Sequence, residues 1–124
     1  MGVILWVGMG GFVGANARYL LDLWVTYRWP SAFPWATFII NLSGSFILGF
    51  FLAFAQDRPW VSHESRLLFA VGFVGAYTTF STYAYQSLRL VQGGEMVLAA
   101  LYIIGSVVLG LVAAFAGVAL GSSI

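Results

Sequence analysis

The 124-residue chain contains no cysteine, no lysine and a single histidine, His63. Without cysteine there is no disulfide, no thiolate metal site and no thiol nucleophile. One histidine cannot build a histidine-rich metal centre. Charge of either sign is scarce. Five arginines and four acids make up 7% of the residues, where soluble domains carry roughly 25%. The net charge of +1 leaves no nucleic-acid footprint. The four acids, Asp22, Asp57, Glu64 and Glu95, all fall near the ends of apolar runs or between them. No carboxylate therefore sits deep in an apolar segment, where proton-coupled transporters place one.

What is abundant is apolar surface, with 61% of residues hydrophobic. A chain this short has too much surface for its volume to hide that much inside itself. The bilayer is the solvent. A spanning helix needs about 20 mostly apolar residues, and four stretches qualify: 2–23, 35–55, 66–91 and 95–120. The first positive charge, Arg18, follows the opening apolar run, so that run reads as a retained helix and not as a cleaved leader. The connections 27–34, 56–65 and 92–94 hold the three prolines, a Gly-Gly pair and four of the nine charged residues. Trp24, Trp29, Trp35 and Trp60 lie at the expected ends, as in an aromatic belt. Residues 1–124 thus read as one all-α, four-helix transmembrane domain.

Arginine counts do not orient it. Arg58 and Arg66 fall on one side, Arg28, Arg89 and, near a helix end, Arg18 on the other. Either a weak signal dominates or subunits insert both ways and pair antiparallel. Four helices are few for a pore, which favours an oligomer. Small-residue pairs such as Gly10/Gly14 and Ser45/Gly49, and the stripe Gly110, Ala114, Gly117, Gly121, indicate close helix packing.

The polar residues at depth carry the functional signal. Thr37, Asn41 and Ser45 recur every fourth residue on one helix face. They either bond helices together or line an ion path. Between Gly72 and Tyr83 lie two glycines and the hydroxyl residues Thr78, Thr79, Ser81 and Thr82. This stretch reads either as a helix break near 75–79, whose freed carbonyls can hold a small cation, or as a continuous helix whose hydroxyls bond to its own backbone. Phe80 and Tyr83 share a face. They either pack or present ring edges, which are positive, to an anion. Tyr102 and Ser106 offer hydroxyls one turn apart, and Gly110 has no side chain to continue the row. Arg18 is either paired with Asp22 or stands at a cavity mouth. Donor-rich, carboxylate-free lining favours a small, strongly hydrated anion.

Three segments together resemble the Fluc (CrcB) fluoride channel family. Gly11-Phe12-Val13-Gly14-Ala15-Asn16-Ala17-Arg18-Tyr19 is similar to its first-helix pattern. Thr37-Phe38-Ile39-Ile40-Asn41-Leu42-Ser43-Gly44-Ser45-Phe46 resembles its second-helix pattern. Gly72-Phe73-Val74-Gly75-Ala76-Tyr77-Thr78-Thr79-Phe80-Ser81-Thr82 resembles its third-helix signature. Their order and spacing agree over nearly the whole chain. The resemblance implies a bacterial plasma-membrane protein, an antiparallel dual-topology homodimer with the third helix broken near mid-membrane, and two passive fluoride pores. It implies a structural sodium ion held by the backbone carbonyls of Gly75 and Thr78 from both subunits. Asn41, Phe80, Tyr83, Tyr102 and Ser106 would line the fluoride path, with Thr37, Thr79 and Ser81 along it, and Arg18 would stand at the vestibule. Tyr83 stands where the family usually has phenylalanine, and Gly110 where relatives can have a hydroxyl. The rival readings are a four-helix multidrug or cation exporter, which would need a membrane carboxylate, and a non-transporting structural subunit. No nucleophile, base and orienter set suggests an enzyme.

Overall fold

The protein is seen in a computed structural model that describes residues 2–124. Helix α1 is Gly2–Arg28 and α2 is Trp35–Gln56. Helix α3 covers residues 63–77. It starts as an α-helical turn (His63–Arg66), continues as a π-helix (Leu67–Val74) and closes with a single α turn (Gly75–Tyr77). Helix α4 is Phe80–Gln92 and α5 is Met96–Ser123. The described residues contain no strand.

Three stretches, Trp35–Gln56, His63–Gln92 and Met96–Ser123, are long and apolar enough to cross a membrane. Helix α1 matches them in length, but four glycines between residues 8 and 14, together with Asn16 and Arg18, dilute its apolar character. Exposure is inverted relative to a soluble protein. Phe12, Val97 and Phe115 are each about three-quarters exposed, which suits a lipid-facing surface and would be untenable in water. The chain is a multi-pass integral membrane protein.

Two glycine-mediated contacts organise the helices. On α1 and α3, a Cβ at Gly10 would strike the Leu68 carbonyl and one at Gly14 the Phe73 carbonyl. A Cβ at Gly72 would lie 2.6 Å from the Val7 carbonyl oxygen. The backbones of α1 and the π-helical stretch therefore touch directly. On α2 and α5, Gly117 meets the Phe46 carbonyl and Gly121 the Phe50 carbonyl in the same way. With no hydrophobic effect between helices in lipid, such close approach maximises dispersion contact. Gly105 and Gly110 face open space, whereas the Ala114 carbonyl meets Gly49, so the packing seam of α5 runs from Ala114 to Gly121.

Helix ends differ from the sequence expectation at the C-terminus of α1, at the N-terminus of α3 and at the C-terminus of α5, which runs three residues past 120 to Ser123; the first two have a local reason. Helix α1 runs on to Arg28, because Thr26 donates to Asp22 within the helix at 3.0 Å and Trp29 N–H reaches the Val25 carbonyl at 2.8 Å. Pro30 then bars further helix. Helix α3 begins at His63, where Ser62 caps it by accepting the Ser65 N–H at 3.1 Å. The α4–α5 turn uses Gly94 at φ 76°, a conformation natural to glycine. Arginines serve the C-terminal end of α2. Arg58 donates to the Phe54 carbonyl and lies 3.9 Å above its ring, and Arg66 donates to the Ala55 carbonyl.

Candidate functional site

Between α3 and α4 the helical path is interrupted. Thr78 (φ −82°, ψ 160°) and Thr79 (φ −151°, ψ 117°) are extended. An interruption frees backbone groups that an apolar setting cannot leave unpaired, and side chains from two helices meet them. Asn41 on α2 holds Thr79 from both ends: its Nδ2 donates to the Thr79 carbonyl at 3.0 Å, and its Oδ1 accepts the Thr79 N–H at 2.8 Å. From the α1 side, Arg18 Nε donates to the Ala76 carbonyl at 3.2 Å, a cation at a helix C-terminus. Thr79 Oγ1 then caps α4 by accepting the Thr82 N–H at 3.2 Å. Thr78 N–H goes back to the Val74 carbonyl at 3.0 Å. Neither of the two amides that would close on Gly75 in a continuing helix does so.

Beside this interruption lies a groove of about 320 Å³, lined by Asn41, Gly44, Ser45, Leu48, Val74, Thr78, Thr79, Phe80, Tyr83, Ser106 and Val107. Five of the residues singled out from the sequence for an ion path, Asn41, Thr79, Phe80, Tyr83 and Ser106, thus share one wall system. Its lining contains no charged side chain. Phe80 is 78% exposed on the open side of the groove, with its ring centroid 5.8 Å from that of Tyr83.

The hydrogen bonds separate spent donors from free ones. The Tyr83 hydroxyl is spent on the Ile103 carbonyl at 2.7 Å, which ties α4 to α5. The extra phenolic oxygen is an anchor, leaving the ring to act as a ring. Tyr102 is fully buried and donates to Gln86 Oε1 at 2.9 Å. Ser45 donates to the Asn41 carbonyl at 2.7 Å. Ser106 Oγ is buried and has no partner. Asn41 carries two amide hydrogens, and one remains for the groove.

Other expectations fall elsewhere. Thr37 is buried outside the groove lining, as is Tyr102, and Ser81 shares a 3.4 Å contact with Thr79 Oγ1. Arg18 is at the interruption and not paired with Asp22, whose carboxylate takes the Thr26 hydroxyl. The sequence reading missed the Tyr77–Ser43 hydroxyl contact at 2.9 Å; the signal was a polar residue, Ser43, off the Thr37/Asn41/Ser45 face. It also missed Gln86, whose amide oxygen accepts the hydroxyl of the buried Tyr102. Among the described residues no cluster of His, Cys, Asp or Glu could hold a metal.

Known proteins share this sequence closely. Residues 5–118 match the family described as CrcB-like protein, Camphor Resistance (CrcB). A Koribacter versatilis protein named fluoride-specific ion channel FluC is 46% identical over 120 residues, covering 97% of this chain and 95% of that protein. Proteins of the same name from Acidobacterium capsulatum and Rhizobium meliloti are 42% and 41% identical, each covering 97% of this chain and 96% of their own length. With a family match over most of its length and relatives this similar across nearly the whole of both sequences, the chain belongs to the CrcB family.

Proposed function

We propose that this chain is one subunit of a passive, fluoride-selective channel that lets fluoride leave the cytoplasm; it is a channel and not an enzyme. The observation that carries the reading is the groove itself. It sets an unpartnered Ser106 hydroxyl and a spare Asn41 amide hydrogen beside the Phe80 and Tyr83 rings, with no carboxylate in the lining. Fluoride binds its water tightly, so a pore must offer several replacement donors, each weak enough to release it. Asn41 and Ser106 donate directly. Phe80 and Tyr83 add the positive edges of their rings. Tyr102 contributes its hydroxyl only when it leaves Gln86, and Thr79, Ser81 and Thr37 support the wall. The absence of a carboxylate from the groove also counts against a proton-coupled exporter of cations. A structural subunit would have no use for a free buried hydroxyl.

The assembly we propose has α1 as a fourth span, the α3–α4 interruption at mid-membrane, and two chains paired antiparallel with two pores. Phe80 is exposed where the groove stands open, and a second copy would wall it. Charge balance is even once Arg18 is counted with the interruption. It lies ten residues before Arg28 in the same helix, about 15 Å away along the axis. Two arginines then remain at each end, Arg58 and Arg66 against Arg28 and Arg89, which gives insertion no preferred sense. The carbonyls of Gly75 and Thr78 suit a sodium ion at the junction of two copies. They are hard oxygen donors that the helix does not use, and the partner supplies the remainder. Bound there, the ion would neutralise converging carbonyl dipoles and fix the interruption, and Arg18 and Asn41 hold the same backbone from either side.

A fluoride-sensitive bacterial host tests the reading. Expression of the chain is expected to restore growth in fluoride, and Phe80→Ile to abolish the rescue while the protein is still made and inserted. Equal rescue by both would remove Phe80 from the path, and no rescue by the unaltered chain would count against export.

A further inference from the structure

A second cavity, of about 350 Å³, lies under the connection between α1 and α2 and is lined in part by Asp22, Thr26, Ala32, Phe33, Gln86 and Arg89. The groove described above ends at Tyr83 and Ser106. Between the two stands Tyr102, fully buried and part of neither lining. Its ring centroid is 5.2 Å from that of Tyr83 on the groove side and 5.5 Å from that of Phe33 on the cavity side, with Phe33 meeting it nearly perpendicular at 84°. Its hydroxyl reaches Gln86, which lines the upper cavity, at 2.9 Å. The rings Phe80, Tyr83, Tyr102 and Phe33 therefore form one continuous row from the groove to the connection.

Phe33 is unusual for a residue in a short connection at a membrane end, because it turns inward. Its N–H donates to Ser31 Oγ at 3.1 Å, and its carbonyl accepts the Trp35 N–H at 2.8 Å. Its ring is braced by Trp35 at 4.5 Å and Phe38 at 5.6 Å between centroids. A loop residue so fixed holds whatever it touches, and it touches Tyr102.

We infer that the cavity under the α1–α2 connection is a second compartment of the anion path, and that Phe33 is the positioning residue that keeps Tyr102 seated as the partition between the compartments. The inference rests on the channel reading above. An ion leaving the groove requires Tyr102 to swing away from Gln86, and Phe33 opposes that swing. Its lining carries one charge of each sign: Arg89, which an arriving anion can meet, and Asp22, whose carboxylate accepts the Thr26 hydroxyl at 3.0 Å.

The chain has no cysteine, so a single introduced thiol reports without interference. In Ala32→Cys protein reconstituted in liposomes, an anionic methanethiosulfonate supplied on both faces is expected to cut fluoride efflux at least tenfold, with the cysteine-free protein unaffected. Phe33→Ala is expected to raise efflux at least threefold, whereas a merely structural loss would lower it. Fluoride efflux unchanged after complete labelling of Ala32→Cys overturns the second compartment. A Phe33→Ala rate at or below that of the unaltered protein overturns the role of Phe33. If the unaltered protein itself conducts no fluoride, the channel reading falls and the inference falls with it; normal conduction with unblocked labelled protein leaves the channel reading standing.

Discussion

Replacing Asn41 by aspartate separates its two duties. The side chain keeps its size and still accepts the Thr79 N–H, but it has no hydrogen for the Thr79 carbonyl, now held at 3.0 Å. Hydrogen bonds between helices in membrane proteins are worth about 0.6 kcal/mol on average and at most about 1.7. Losing one of two should lower stability only by about 1 kcal/mol, leaving an assembled protein. The charge acts more strongly. A carboxylate about 4 Å from a passing anion, at an effective dielectric constant of about 20, raises its energy by about 4 kcal/mol. That corresponds to a fall in rate of roughly a thousandfold. Efflux followed with a fluoride electrode should therefore collapse in Asn41→Asp while the melting temperature moves only slightly. Asn41→Ala should show the opposite balance: both bonds to Thr79 are lost, stability falls further, and the flux defect is smaller because no charge is added. Asn41→Asp conducting within twofold of the unaltered protein would refute the placement of Asn41 beside the ion.

Other perturbations follow from the same geometry. Phe80→Ile should reduce fluoride flux strongly and leave the oligomer intact on a sizing column, since the exposed ring packs little within its own subunit. Gly14→Ala and Gly117→Ala should each impair assembly, because the added methyl meets a backbone carbonyl that cannot yield; Gly110→Ala, facing open space, should leave the melting temperature within a degree or so of its original value. Replacing sodium by a bulky organic cation during purification should weaken the dimer, read as monomer on native mass analysis, and restoring sodium should reverse it.

The sequence made the chemistry easier to read than the geometry. Asn41 stood out because a lone amide in an apolar helix must find partners, and the glycines and hydroxyls of 72–82 marked the stretch where Thr78 and Thr79 turn extended. Which groups Asn41 bonds was not legible, because that depends on the tertiary approach of α2 to α3. The π-helical course of Leu67–Val74 left no trace in a plain apolar run. Its backbone lies against Gly10 and Gly14 on another helix, a contact that local sequence does not show. Arg18 read either as paired with Asp22, the one partner visible along the helix, or as a charge at a cavity mouth. Its actual acceptor is the Ala76 carbonyl, 58 residues away. Phe33 carried no signal in a proline-flanked connection, and only the fold turns it toward Tyr102.

The groove should pass fluoride and refuse larger anions. Proteoliposomes loaded with potassium fluoride or potassium chloride, with a potassium ionophore added to remove the voltage limit, test it most directly. The account predicts rapid fluoride efflux and chloride efflux no faster than from empty liposomes. No fluoride efflux from well-folded protein, or chloride leaving as fast as fluoride, would contradict it.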